Sequence, residues 1–516
     1  MTEVASLLSE NYNPRLPRII QLTGTPVSRD IERIDQLILI LPQRQNDKLW
    51  RKIPQGSRIK ALMNRRPPRS VPAVVTRVSN HKQTALVVAT IPADDSVFGQ
   101  LTFARKLVAA SCNEKPGTLG IWVAGFKPHE QLETIRYVLA AALAAGFVMP
   151  AFKAKPTPPP VRSIRILGLE QKIDIARTIA EASGNNLARW LTALPANKLD
   201  AKAYVQATRE MAADCGWQHK QYGTDALRKL GTGAFLAVAQ ANENDSAAIV
   251  HIKYRPRQKT ERAAISLVGK GIIFDTGGTN LKPFNSMLDM HTDMGGSAVA
   301  LATLKTITEL KLPLAVDCWL AITENRSGPR AYKSQDIITA ANGKTIQTIH
   351  TDAEGRLALA DTLVLASREK PGFIIDYATL TGACVAGITE RYSGVFSNRP
   401  KLHPMLKRAG INSGERVWPF PIGREFVDEL KSDIADLIQC KSGGGGDHIY
   451  AASFLGEFVD KTIPWVHVDL SACSHKGGLA HIPTRITGFG VRFTMNLLLD
   501  QQVLARTIHE CTRALA

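Results

Sequence analysis

Beyond residue 195 the chain carries five runs that are apolar almost throughout: Ala248–Ile252, Ala264–Val268, Leu314–Thr323, Gly372–Tyr377 and Trp465–Leu470. A strand with one face in water alternates polar and apolar residues. A run without that alternation has both faces covered. Helical stretches at Ser297–Leu310, Leu357–Ser367 and Ile449–Val459 lie between these runs. Strands interleaved with helices that cover both faces predict an α/β domain with a central mixed, mostly parallel sheet.

The beginning of the chain has the same chemistry on a smaller scale. Gln36–Leu41, Ala73–Val78, Thr84–Ile91 and Leu119–Val123 read as strands, and Glu130–Ala145 reads as a helix. The segment Lys153–Val161 is Pro-rich and reads as a stiff, extended connector. Helical periodicity follows over Gln171–Leu194. The expected organisation is a smaller, basic N-terminal α/β domain at 1–166, a connecting helix at 167–194, and a larger α/β catalytic domain at 195–516. There is no internal repeat, and the only low-complexity tract is Gly443–Gly446.

The net charge is +18, and residues 1–166 hold 24 Lys and Arg against 11 Asp and Glu, which puts +13 of it there. The densest cluster is Arg51, Lys52, Arg58, Lys60, Arg65, Arg66 and Arg69. Such a cluster binds phosphates by releasing counterions, so nucleic acid or an acidic partner is one reading. No aromatic residues interleave with it and no nucleic-acid fold motif accompanies it, which favours a solvated basic face. Seven scattered cysteines with no close pair argue against a disulfide scaffold and a Cys-ligated zinc site, and fit a reducing compartment. The apolar run Tyr137–Met149 is interrupted by Gly146 and falls short of the roughly 20 residues of a membrane helix. Met1–Arg15 lacks the pattern of a secretory signal. A soluble, cytoplasmic protein without a membrane partner is expected.

The chemistry gathers where apolar runs end. After Ala264–Val268 come Gly269-Lys270-Gly271 and then Asp275-Thr276-Gly277-Gly278. Lys282 follows, then His291-Thr292-Asp293, and later Thr351-Asp352-Ala353-Glu354-Gly355-Arg356 at the start of an apolar helix. Sites in open α/β sheets form at the carboxyl ends of strands, where these residues fall. Asp275, Asp293, Asp352 and Glu354 cannot share one apolar pocket as bare anions, because desolvation and repulsion raise their pKa values. Two divalent cations cancel four negative charges. Asp352 and Glu354, two apart, point to one side if their segment is extended. Oxygen-rich sites of this kind hold paired metals that activate water for hydrolysis. Lys270 is a candidate ligand with its amine kept deprotonated. Lys282 is the candidate cation for the oxyanion that develops on a substrate carbonyl. Taken singly, each residue has a plainer reading: an Asp after a strand as a helix cap, or Glu354 and Arg356 as a surface pair. A metal-dependent phosphatase also fits oxygen ligands. The Gly269–Gly278 segment has neither phosphate-loop order of glycines.

The segments Val268–Gly278, Met290–Gly296 and Thr351–Leu357 resemble the signatures of the leucyl aminopeptidase family, the cytosol aminopeptidases related to bacterial aminopeptidase A. The resemblance covers roughly 190–500. It implies a two-metal exopeptidase that removes the N-terminal residue from peptides with a free N-terminus. It implies that Lys270, Asp275, Asp293 and Glu354 bind one metal. Asp275, Asp352 (also through its carbonyl) and Glu354 then bind the other. Lys282 polarises the scissile carbonyl, and Arg356 is similar to the arginine that holds a bicarbonate acting as general base. The resemblance implies that the free amine of the substrate binds a metal, with Asp293 nearby. Met290 and Thr379 match positions lining the pocket for the first side chain, with Gly382 close by. The metals implied are Zn²⁺ or Mn²⁺, with Co²⁺ also used in the family, and the assembly implied is a homohexamer. Some bacterial relatives bind DNA, so a DNA-binding role of the basic domain is the alternative reading, compatible with peptidase activity. Two departures stand out. His350 replaces the usual Asn, and is read as structural. Gly443–His448 differs from the usual Gly-Gly-Ala before a helix, with His448 a minor candidate for a catalytic base.

Overall fold

The computed structural model describes residues 15–65, 73–91, 96–112, 115–154, 161–243, 246–256 and 262–505. Arg66, Arg69, residues 155–160 of the Pro-rich connector and Cys511 lie outside the described residues. The described chain forms two compact units. One comprises 15–183 with 476–485, and the other 184–475 with 486–505.

The first unit holds a six-stranded sheet of β1 (Arg18–Thr23), β2 (Gln36–Leu41), β3 (Ala73–Arg77), β4 (Ala85–Thr90), β5 (Thr118–Val123) and β6 (Ser163–Leu169), in the order β1-β6-β5-β2-β4-β3. Only the edge strand β3 runs antiparallel to its neighbour. Strand β2 is buried at every position, as its unbroken apolar run requires. The apolar run at 137–149 lies largely in helix α1 (Pro128–Ala145), which buries Ile135, Val138, Leu139, Ala142 and Leu143. Those positions recur at three and four residues, the spacing of one helix face. Among the described residues no helix is long and apolar enough to cross a membrane. In the basic cluster, Lys60 pairs with Asp47 at 2.8 Å, and Arg58 bonds the Ser79 hydroxyl at 3.2 Å.

The second unit is built on an eight-stranded sheet. Its strands are β7 (Gln218–Gly223), β8 (Ala248–Tyr254), β9 (Ile265–Asp275), β10 (Val316–Asn325), β13 (Ile374–Ala378), β14 (Ser393–Ser397), β15 (Val417–Pro419) and β17 (Trp465–Asp469), in the order β15-β14-β17-β13-β9-β10-β8-β7. A small sheet of β11 (Ile337–Thr339), β12 (Thr345–Gln347) and β16 (Leu437–Ile438) stands apart. The central strands β10, β9, β13 and β17 pair in parallel, and the flanking β14 and β8 are antiparallel to them. This is the expected mixed α/β sheet.

One expectation is corrected. The strand predicted to stop at Val268 runs on through Lys270 to Asp275, eleven residues in all. Gly269 and Gly271 are not turn residues: they pair with Leu320 and Ile322 of β10. Their lack of a side chain serves packing instead. Helix α2 (Gly295–Glu309) lies so close that a Cβ on Gly269 would sit 2.4 Å from the Ser297 Cα, and one on Gly296 2.1 Å from the Tyr377 carbonyl oxygen. Successive residues of a strand face opposite ways. Gly269 and Gly271 therefore meet α2, while Val268 and Ile272 join the core around helix α3 (Glu354–Arg368) on the other face. Lys270 shares that second face.

Candidate active site

Strand β9 places Lys270 inside the sheet and Asp275 at its carboxyl end. Lys282 follows in the next loop, and Asp293 closes a single 3₁₀ turn, Met290–Thr292, just before α2. Glu354 is the first residue of α3. Asp352 sits in the turn before it, so the two acids do not share an extended segment as expected. The helix begins between them, at Ala353, and each reaches the site from a different backbone conformation.

The fold brings these residues together. One carboxylate oxygen from each of Asp275, Asp293 and Glu354 lies within 4.8 Å of the others, and all three residues are buried. Lys270 Nζ stands 2.7 Å from Asp293 Oδ2 and 2.9 Å from Glu354 Oε1, and donates to the Thr379 carbonyl at 3.0 Å. Lys282 Nζ is 2.9 Å from Asp275 Oδ2 and is also paired with Asp352. Glu354 and Arg356 are each only 2% exposed, which disposes of the surface-pair reading.

The electrostatics are those of a crowded anionic pocket. Burial, then repulsion by Glu354 and Asp293, holds the Asp275 carboxyl well above the usual carboxylate range. Burial pushes Asp293 up to about 7, with Lys270 opposing and Glu354 adding to the rise. Burial alone would lower Lys270, but Asp293, Glu354 and Asp275 outweigh it and hold its ammonium above the ordinary lysine value. Glu354 Oε2 is buried without a hydrogen-bond donor. A carboxylate oxygen in that condition needs a positive partner, so the donor set suits a hard or borderline divalent cation.

Several supporting residues were not anticipated. Asn325 ends β10 and donates to Asp275 Oδ1 at 2.7 Å and to the Thr351 carbonyl at 3.0 Å. Tyr332 donates to the same carbonyl at 2.8 Å. Gln439 accepts from the amides of Ile349 and His350 and donates to the Ala353 carbonyl, fixing the loop before α3. The rule that drew attention to Asp275, a polar residue at the end of an apolar strand, applies equally to Asn325. Nothing in the spacing marks Gln439. His350 is exposed, and its Nδ1 accepts the Asp352 amide at 3.2 Å, consistent with its structural reading. His448 packs edge-on against Phe420, ring centroids 4.5 Å apart, and burial lowers its pKa. That is the setting of a packed ring rather than a poised base. Met290 is half-buried in its turn, Gly382 is exposed at the start of a short helix, and Thr379 is bound to the acidic cluster.

A second grouping, His251, Asp317 and Glu369, also brings possible ligand atoms together. Its charges are met within the protein: Arg255 lies 2.7 Å from Asp317 and Lys253 2.9 Å from Glu369. It reads as an ion-pair network.

Acidic side chains and lysines converging around the carboxyl ends of parallel strands, with a buried carboxylate oxygen suited to a cation, define a candidate divalent-metal site in an α/β fold. The model of the cytosol aminopeptidase family, catalytic domain, matches residues 186–495. A probable cytosol aminopeptidase of Synechococcus sp. (strain JA-3-3Ab) is 36% identical over 398 residues, 73% of this chain and 76% of that one. Another, from Solibacter usitatus (strain Ellin6076), is 39% identical over 336 residues, 64% of this chain and 68% of that one. The chain therefore belongs to the cytosol aminopeptidase family, and it is a metal-dependent exopeptidase that hydrolyses peptides from the N-terminus. Among solved structures, a tomato leucine aminopeptidase variant shares the fold with a TM-score of 0.82 at 24% identity, covering 95% of this chain and 98% of that one. The bottromycin maturation enzyme BotP in complex with Mn has a TM-score of 0.77 at 27% identity, covering 90% and 99%.

Proposed function

We propose that Lys270, Asp275, Asp293 and Glu354 hold one divalent cation and that Asp275, Asp352 and Glu354 hold a second. The observation that carries this reading is the convergence of three buried carboxylates within 4.8 Å of one another, one of which, Glu354, has an oxygen, Oε2, buried without a donor. Zn²⁺ or Mn²⁺ is the proposed metal, and the Mn held by BotP supports the second. Bound there, the cations supply Lewis acidity and a nucleophilic water at neutral pH.

The chain's own residues do the rest. Asp293, beside the cations, receives the free amine of the substrate, so peptides enter by the N-terminus. Met290, Thr379 and Gly382 border the first side chain. Asp275 and Glu354 outweigh burial and hold Lys282 as an ammonium, and its side chain, 13% exposed against 3% for Lys270, keeps more hydration for that charge when cations occupy the carboxylates. A lysine that stays charged suits an oxyanion developing on the scissile carbonyl. Lys270 is held as an ammonium by the same carboxylates. Cations among them remove that support and leave burial, which favours the neutral, ligating amine. Arg356, buried beside the cluster, is the anion-holding group. We place catalysis in 195–516, with the domain at 1–166 outside it and 167–194 joining them. The proposed setting is the cytoplasm and the proposed assembly a homohexamer, both by family likeness.

Metal analysis of the purified protein, together with a panel of aminoacyl amides, tests this. Two ions per subunit are expected. Lys282→Met is expected to lower kcat by about 10²–10³-fold with both ions retained. Full activity in exhaustively chelated protein overturns the reading.

A further inference from the structure

The arginine expected to hold a bicarbonate ion holds a carboxylate of the chain instead. Arg356 Nη2 donates to Asp447 Oδ2 at 2.6 Å, and Nη1 donates to the Gln439 carbonyl at 3.3 Å. Its remaining nitrogen, Nε, is sealed from solvent. The arginine side chain is 3% exposed and that of Asp447 is 42% exposed, so a solvent-reaching carboxylate is anchored on a buried cation. Bicarbonate does not fit these residues as they stand. The accessible edge of the guanidinium is engaged, and a second anion beside Asp447 meets like-charge repulsion.

The local sequence explains how Asp447 reaches the arginine. Gly444 and Gly446 have φ of +95° and +78°, the left-handed region that glycine adopts without strain. The loop they bend delivers Asp447 as the first residue of helix α4 (Asp447–Leu455). Asp447 lines the same cavity, about 330 Å³ in volume, as Asp352, Ala353 and His350. Its carboxylate therefore shares that space with a proposed metal ligand.

We propose that Asp447 is the built-in anion of this site, taking on Arg356 the place that family likeness gives to bicarbonate and serving as proton acceptor. The inference rests on the reading of Arg356 as the anion-holding group. A carboxylate and a bicarbonate both offer two oxygens on a planar carbon, one for the guanidinium and one for a proton. In the step assigned to it, one O–H bond of the attacking water breaks and the proton passes to Asp447. The oxygen bonds to the carbonyl carbon. When the carbon–nitrogen bond breaks, that proton goes to the departing amine and the carboxylate is regenerated, so no co-reactant is consumed.

The test compares the full-length, metal-loaded wild type with Asp447→Gly and Asp447→Asn in carbonate-stripped buffer and with added bicarbonate. The wild type is expected to show the same kcat in both and to bind no ¹³C-bicarbonate. Asp447→Gly is expected to lose about 10²-fold in stripped buffer, to regain activity with bicarbonate, and to bind the labelled ion. Asp447→Asn, whose amide still fills the space, is expected to lose as much and not recover. Bicarbonate that binds to and stimulates the wild type overturns the proposal, as does an Asp447→Gly variant with full activity in stripped buffer. The binding measurement on the wild type decides even where a variant loses its metals. The parent reading fails separately, through an Arg356→Met variant with unchanged kcat.

Discussion

The Thr379 hydroxyl donates to Asp293 Oδ1 at 2.7 Å, while the carbonyl of the same residue accepts from Lys270 at 3.0 Å. One residue just past the end of β13 thus orients two proposed ligands of the first cation. Removing a group that orients a metal ligand commonly costs roughly 10–100-fold in affinity or activity. Thr379→Val keeps the shape and deletes the hydroxyl. Metal affinity should fall by roughly 10–100-fold, with little change in the first-residue preference. Metal titration of the chelated protein measures the first, and a substrate panel the second. An altered preference at unchanged affinity would return Thr379 to a purely pocket-lining role.

Gly355 separates two proposed catalytic neighbours, and its missing side chain is itself a constraint. A Cβ there would lie 2.6 Å from Lys270 Cε and 2.7 Å from its Nζ. A flexible lysine can usually move away cheaply, but this one is only 3% exposed and fixed between Asp293 and Glu354. Gly355→Ala should therefore leave the fold intact and shift Lys270, with a loss of about 10²-fold in kcat/KM, the scale of a misplacement near 1 Å. Circular dichroism with steady-state kinetics checks both halves. Wild-type kinetics would mean that Lys270 is not held where the chemistry needs it.

These two residues show what was legible in the sequence. The architecture was, because unbroken apolar runs such as Gln36–Leu41 have no stable place except a covered strand. The acids were legible because four carboxylates in apolar surroundings demand compensation. Strand continuity through Gly269 and Gly271 was not. Glycine marks a bend or a close approach equally well, and only the position of α2 decides between them. The partners of the site were largely hidden. Asn325, Gln439 and Asp447 act through hydrogen bonds to residues remote in sequence, and no local period encodes such a pairing.

Below the sheet's carboxyl edge lies a buried pair with a pH signature. His467 Nδ1 is 2.6 Å from Asp376 Oδ1, and both side chains are fully buried. Burial alone would lower the histidine, but Asp376 outweighs it and raises the pKa above the ordinary value. In the unfolded chain histidine titrates near about 6.5. The folded chain binds this proton more tightly, so the stability it contributes is fully present below that pH. It is lost as pH rises through the folded value. The difference in melting temperature between the wild type and His467→Gln should thus be larger at pH 6 than at pH 9, measured in chelator throughout. A difference that does not vary with pH would mean that the folded chain binds this proton no more tightly than the unfolded one.

Metal removal should carry a pH dependence of the opposite sense. In chelated protein Asp293, pushed up to about 7, takes a proton far above the roughly 3.9 of an unfolded aspartate. The folded state then gains protons first, so chelated protein should gain stability from this group as pH falls through about 7 towards 4. Cation binding needs the same carboxylate ionised, so its affinity falls over that interval. Bound metal stabilises the fold in proportion to the logarithm of its concentration over its dissociation constant. The gap in melting temperature between metal-loaded and chelated protein should therefore be widest near pH 8 and narrow steadily towards pH 5. Scanning calorimetry at fixed free metal measures it. A gap that stays constant would show that no carboxylate with a raised pKa takes part in holding the ion, and Asp293 would lose its place among the ligands.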